Sequence, residues 1–271
     1  MRWVNVRPNR RNSILLGALP LLLVLVIYLL AAAARHEANP SDKILPTPAA
    51  MVAAMHGLLV EPDPLSGRLI FLADTLASLE RLGLALGICT LSALLVGMVL
   101  GVLPSARASF GGLVTTIAVI PPIALLPILF IVFGLGETAK VALIVVGLAP
   151  FLIRDLADHV AALPQEQLIK AQTLGASSWQ LALRVALPQA LPRLIAGLRL
   201  SLGPAWVYLI SAEAIASDVG LGYRIFLVRR YLSMDVIIPY VAWISLLAIV
   251  MDLALAQLSR RSFAWAHQAS R

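Results

Sequence analysis

Long uncharged runs alternate with short polar ones along this chain, and the runs are of membrane-crossing length. Residues 13–34 contain no charged side chain. As a helix, at about 1.5 Å per residue, they reach roughly 33 Å, the thickness of a hydrocarbon core. A second uncharged run, residues 82–106, follows "DTLASLERL", which reads as the polar outer end of the same helix. The third, residues 108–136, contains Pro121, Pro122 and Pro127. Each proline removes a backbone donor, so this helix is expected to kink or break at mid-depth, where protein or water must take up the freed carbonyls. Residues 140–154 enclose a fourth run, short unless "GET" and "DLADHV" extend it, with Pro150 inside. The fifth, residues 194–216, surrounds "LSLGPAWVYLISAEAI", and the sixth covers residues 236–258. Six spans put both termini on one side.

Residues 35–72 are rich in Pro, Asp and Glu and are expected to form an external loop, with a short surface helix near "AAMVAAMHGLL". The first run is longer than the core of a secretory signal. Although "AAAARHEA" has the small residues of a cleavage site, retention of the helix is expected. Arg2, Arg7, Arg10 and Arg11 precede the first run, and Arg260, Arg261 and Arg271 follow the last. Arginine bias therefore makes residues 1–12 and 260–271 cytoplasmic and residues 73–259 the membrane core. One loop runs against this bias: "GYRIFLVRRYL" places Arg224, Arg229 and Arg230 outside. It is read as a short, half-apolar segment that dips back into the protein.

Composition agrees, with 60% hydrophobic residues, 13% charged and a mean hydropathy of +0.91. So few charges cannot cover a soluble surface, and the fold class is an all-α polytopic membrane protein. The net charge of +7 comes mostly from arginines beside apolar runs, which are topology signals and not a nucleic-acid footprint. Cys89 lies alone in an apolar run, which excludes a disulfide framework. No G-x-x-x-x-G-K-[ST] loop is present; "GLGETAK" at residues 134–140 has the wrong spacing. H-E-x-x-H and G-x-S-x-G are also missing, and His36, His56, His159 and His267 are scattered. The chain is therefore expected to be no enzyme and to hold no cofactor or metal of its own.

Residues 163–192, "LPQEQLIKAQTLGASSWQLALRVALPQALP", interrupt the apolar pattern. Pro164 suits a first helical turn, and Glu166 sits where the helix dipole favours negative charge. The spacing predicts a helix to Leu174, ended by Gly175, then a second short helix begun by Ser177 with Gln180 as its capping-box partner. Two readings follow from the residues alone: an amphipathic loop resting on lipid headgroups, or a docking element for a cytoplasmic partner.

The same stretch resembles the signature loop of permease subunits of binding-protein-dependent ABC importers. There a Glu-Ala-Ala triplet is followed after three residues by Gly, and later by a hydrophobic residue, a spacer and Leu-Pro. Gly175, Val185, Leu187 and Pro188 fall on that spacing. The triplet reads Ile169, Lys170, Ala171, so only Ala171 matches, and Glu166 stands three positions earlier. "IPPIALLPILFIVFGLGETAK", "LRLSLGPAWVYLISAEAIASDVGLGYRI" and "MDLALAQLSRR" resemble the nitrate, sulfonate and taurine branch, so the resemblance covers residues 75–261. It implies a type I ABC importer permease of the bacterial inner membrane, pairing with a second copy, two cytoplasmic ATPases that carry ATP and Mg, and an external solute-binding protein. The solute implied is small and anionic, moved inward by alternating access. Glu166, Lys170, Ala171, Gly175, Ser177, Val185, Leu187 and Pro188 would form the ATPase-coupling segment. The chain is similar also to permeases of urea or guanidine carboxylase systems, which would imply another solute. A secondary transporter or channel is the other class; internal repeats or paired membrane charges would mark it, and neither is read from the sequence.

Polar residues in the spans complete the candidates. Pro121, Pro122, Trp206, Tyr208, Ser211 and Glu213 are candidates for a translocation path or gate. For Glu213 the competing reading is an interfacial anchor paired with an arginine of the following loop, and for Trp206 and Tyr208 it is packing. Asp252 is expected to pair with a neighbour such as Arg260. Gly220 and Gly222 in "SDVGLGYRI" suggest a tight bend.

Overall fold

The computed structural model describes residues 9–39, 42–63 and 67–267; Arg2, Arg7 and Arg271 and the side chain of Arg10 lie outside what it describes. Regular structure among the described residues is helical, apart from one isolated bridge between Pro62 and Leu69. Helix α1 (Arg10–Ala38) stands apart from the rest, with its leucines and isoleucines exposed. That exposure suits lipid, which is as apolar as the side chains facing it. Among the described residues it is tied down towards its C-terminal end: Ala32 is buried, the Tyr28 hydroxyl donates to the Pro46 carbonyl at 2.6 Å, and Arg35 pairs with Asp42. The Asp42 carboxyl is held below its ordinary range by the Ile44 backbone N–H and by Arg35. The expected surface helix is α2 (Pro48–Val60), with Pro48 in its first turn and Thr47 accepting from the Ala50 N–H at 3.3 Å. It packs on α3 and α12.

Helix α3 (Ile70–Ser92) does begin in the polar stretch before the second run, and passes through a π-turn (Ala93–Gly97) into α4 (Met98–Val102). The third run breaks as its prolines predict. Helix α5 (Pro104–Val119) ends before Pro121, and a 3-10 turn (Pro122–Leu125) leads into α6 (Leu126–Phe133), with a bend of 87° between the two halves. The fourth run is extended by its flanks: α7 (Glu137–Ala161) takes in residues of both "GET" and "DLADHV" and is one helix of 25 residues. Its stripe of Leu148, Leu152, Leu156 and Val160 is buried against α3, α4, α5 and α10, which makes it the centre of the bundle.

Beyond it come α8 (Gln165–Thr173), α9 (Ser178–Gln180), a second π-turn (Leu181–Ala186), α10 (Leu187–Ala216), α11 (Leu221–Arg229) and α12 (Met234–Ser262). One expectation fails here. The helix begun by Ser177 is not short, because Ser178–Ala216 runs on as a single helix of 39 residues through Pro188 and Pro192. The π-turn just before Pro188 widens the backbone where its ring would otherwise strike the preceding turn, so the proline does not end the helix.

Four helices among the described residues are long and apolar enough to cross a membrane, Arg11–Ala38, Ile70–Val102, Ser178–Ala216 and Met234–Ser262, and the bent pair makes five. The expected count of six adds α7. Its length suffices, but its charges set it apart: Glu137 and Lys140 in the first turn and Arg154, Asp155 and Asp158 near the end, with residues 141–153 uncharged. Ion pairs show which ends meet. Asp155 and Asp158 pair with Arg193 and Arg107 at the end carrying α8, whereas Glu137 pairs with Arg81 of α3 at the far end.

Candidate functional site

The segment from α8 to α10 is an elbow fixed by its own backbone. Gly175 adopts φ +82°, its N–H donates to the Gln172 carbonyl at 2.9 Å, and the Ala176 N–H donates to the Ala171 carbonyl at 3.1 Å. This pair of bonds is the Schellman closure of a helix, and the left-handed residue it needs is most cheaply a glycine. Two residues later the expected capping box forms: Ser177 Oγ accepts from the Gln180 N–H at 3.3 Å, and the Ser177 N–H donates to Gln180 Oε1 at 2.9 Å. Helix α8 buries no residue, and Glu166, Lys170, Leu174 and Trp179 are exposed. A hydrogen bond from Gln189 to Gln167 at 3.1 Å braces it against α10. Ala171, Val185 and Leu187 are half-buried, Ser177 and Pro188 exposed. All eight residues of the expected coupling segment therefore fall on this elbow or on the first turns of the helix it aims.

The six path candidates are not brought together. Pro122 and Tyr208 both border Gly147: a Cβ there would lie 2.5 Å from the Tyr208 ring and 3.0 Å from Pro122. Pro121 is exposed beside them. Trp206 is buried in the core, with no hydrogen-bond partner for its indole N–H among the described residues. Ser211 donates to the Val207 carbonyl of its own helix at 2.7 Å.

Glu213 sits at the far end, fully buried. Its carboxylate accepts from Ser78 Oγ at 2.7 Å, Arg81 Nη1 at 2.6 Å and the Gly222 N–H at 2.8 Å. Arg81 also donates to the Val219 carbonyl at 2.8 Å and pairs with Glu137, which Lys140 meets at 2.8 Å. Asp74 accepts from the Gly220 N–H at 2.9 Å, Arg224 Nε at 2.8 Å and the Tyr240 hydroxyl at 3.1 Å. Three acids and three bases thus knit α3, α7, α10, α11 and α12 together, and hydrogen bonds repay much of what their burial costs. Gly220, at φ +139°, is required there, since a Cβ would lie 2.6 Å from the Glu213 carboxylate.

Several expectations change. The partner of Glu213 is Arg81 of α3, and the loop arginine Arg224 pairs with Asp74 instead, which does bring that loop back onto the bundle. Arg229 lies over the Phe226 ring at 4.9 Å, and Arg230 is exposed. Asp252 pairs with Arg199 at 2.7 and 3.0 Å, not with Arg260. Paired charges within the long helices, not anticipated from the sequence, are therefore present, so that mark does not separate the two transporter classes weighed above. Asp74, Ser78 and Arg81 recur at helical spacing on one face of α3, a signal that a reading as a polar helix end passes over.

Residues 93–263 match the family described as binding-protein-dependent transport system inner membrane component. The chain is 38% identical to the taurine transport system permease protein TauC of Escherichia coli over 190 residues, covering 70% of this chain and 69% of that one. It is 29% identical over 267 residues to a putative ABC transporter permease protein of Methanocaldococcus jannaschii, covering 97% and 96%. With the bicarbonate transport system permease protein CmpB of Synechococcus elongatus it shares 30% identity over 189 residues, 69% and 68% of the two chains. An inward-facing structure of the MetNI methionine ABC transporter superposes with a TM-score of 0.62 at 21% identity, covering 71% of this chain and 95% of that one, a likeness of fold.

Proposed function

This chain belongs to the family of binding-protein-dependent transport system inner membrane components, and on that premise we propose that it is the permease subunit of an ATP-driven importer of a small anionic solute. The relatives are named for transport of taurine, a zwitterion with a sulfonate group, and of bicarbonate, which supports a solute bearing an oxyanion group. In this reading two copies form the pore, two cytoplasmic ATPases hold ATP and Mg, and an external binding protein delivers the solute. The chain is multi-pass in the inner membrane, with Arg11, Arg260 and Arg261 marking cytoplasmic ends.

One observation carries the proposal: α8 buries nothing, yet it is locked by capping bonds to a 39-residue helix that reaches the ion-paired far end. At 1.5 Å per residue that helix is roughly 58 Å long. A helix unused by its own fold is free for a partner, and its lock to α10 turns a displacement of α8 into a displacement of the whole span. Closure of the ATPases then moves the bundle between inward-facing and outward-facing states. Glu166 and Lys170 are the face presented, Ala171, Gly175 and Ser177 the lock, and Val185, Leu187 and Pro188 the start of the lever.

A cysteine at Lys170 tests this by cross-linking in membranes that contain the cognate ATPase. The expected product is a permease–ATPase adduct whose yield changes when nucleotide is trapped. A cysteine that forms no adduct and is shielded only by lipid would assign α8 to the headgroup surface instead.

A further inference from the structure

At the α8 end of the bundle, α4, α5 and α7 line a cavity of about 190 Å³ whose walls include Arg107, Gly112, Thr115, Arg154 and Asp158. Asp158 is the only carboxylate in that lining, and two guanidinium groups share it. Arg107 donates to Asp158 Oδ1 and, at 3.4 Å, to the Ala157 carbonyl. Arg154 Nε stands 3.7 Å from Asp158 Oδ2, too far for a hydrogen bond. The Arg154 side chain thus has no hydrogen bond among the described residues, and half of it is exposed. Two cations against one anion leave one positive charge uncompensated. The Thr115 hydroxyl is likewise unengaged among the described residues, and the same helix is open beside it: a Cβ on Gly112 would meet nothing within 4 Å.

We propose that this cavity is a binding site for a singly charged oxyanion group. Arg154 supplies the free planar donors, which suit two oxygens of a sulfonate, carboxylate or phosphate, while Arg107 adds charge and Thr115 a hydroxyl donor. Asp158 holds both arginines in place and tunes the site to a single negative charge. Such a group has two sources: a solute leaving by the inner mouth, which rests on the anionic-importer reading above, or the phosphate of an inner-leaflet lipid.

The test follows modification of Arg154 by phenylglyoxal, read by peptide mass spectrometry, in the intact permease–ATPase complex in nanodiscs. In phosphatidylcholine, millimolar ethanesulfonate is expected to slow modification several-fold relative to sodium chloride of equal ionic strength, which identifies a solute site. Protection that instead requires phosphatidylglycerol in the disc identifies a lipid phosphate and still supports the oxyanion site. Equal rates under all of these conditions overturn it. Arg107→Gln leaves Asp158 to neutralise Arg154 alone and should remove the protection while the complex stays assembled; protection that persists in that variant also overturns the site. Labelling needs no transport, so the two proposals fail separately. Protection without ATP-driven uptake removes the importer reading alone, and uptake without protection removes the oxyanion site alone.

Discussion

Replacing Gly175 with valine perturbs the elbow in a way whose cost follows from its geometry. The residue sits at φ +82°, and a Cβ there would meet nothing within 4 Å, so no clash with neighbours contributes. The whole penalty is the backbone's own: a left-handed residue with a side chain costs roughly 1–2 kcal/mol, and a β-branched one lies at the upper end. That is a factor of about 5–30 in the ratio of the locked elbow to its competitors. The competitors lose the two bonds from the Gly175 and Ala176 N–H groups that close α8. The assay is solute taken up per ATP hydrolysed, in proteoliposomes containing the ATPase and supplied with loaded binding protein. Gly175→Val is expected to lower uptake and stimulated hydrolysis severalfold or more, with what the binding protein holds unchanged. Gly175→Asn, whose side chain tolerates the left-handed region, should recover most of the loss. Valine at wild-type coupling in a properly inserted protein would refute the reasoning, and asparagine as damaging as valine would show that the conformation is not what matters.

Glu213→Gln leaves Arg81 buried with only Glu137 as an ionic partner, and breaking a buried pair costs about 3–5 kcal/mol, so the thermal unfolding midpoint should fall clearly. An unchanged midpoint with uptake lost would return Glu213 to the solute path. Gly147→Ala drives a Cβ into the Tyr208 ring at 2.5 Å and should destabilise by about 1–3 kcal/mol, largely recovered by a second change, Tyr208→Leu. No shift in the midpoint of the single variant would mean that the ring moves aside freely. Cysteines at Val52 of α2 and at Ser177, both exposed, should react with impermeant thiol reagents from opposite sides of the membrane. Reaction from the same side would contradict the assigned topology.

What the sequence revealed was local. Gly175, Ser177 and Gln180 announce the elbow because capping chemistry is decided within a few residues, and Pro121 and Pro122 announce the break because a missing donor acts where it stands. Pro188 misled for the complementary reason: its effect depends on the π-turn before it, and no short-range signal marks where a helix widens. The ion network was hidden by distance along the chain. Arg81 meets Glu213, 132 residues later, and Arg224 meets Asp74 across 150 residues. Only the three-dimensional course of α3, α7 and α10 brings these charges to one end. Asp252 shows the same effect on a smaller scale, since Arg260 is nearer along the chain but Arg199 is nearer in space. The pattern on α7 was legible only in halves, because charges at both ends of a central helix look like the flanks of a short span.

ATP-driven import of a solute bearing an oxyanion group is tested most directly by uptake of labelled taurine and labelled ethanesulfonate into proteoliposomes that hold this chain and its cognate ATPase. Binding protein and internal or external ATP are omitted in turn. The expected result is inward accumulation, for the solute its binding protein holds, that requires both the binding protein on one face and ATP on the face carrying α8, and that stops when either is left out. Accumulation that continues without ATP or without the binding protein, driven by an ion gradient alone, would contradict it.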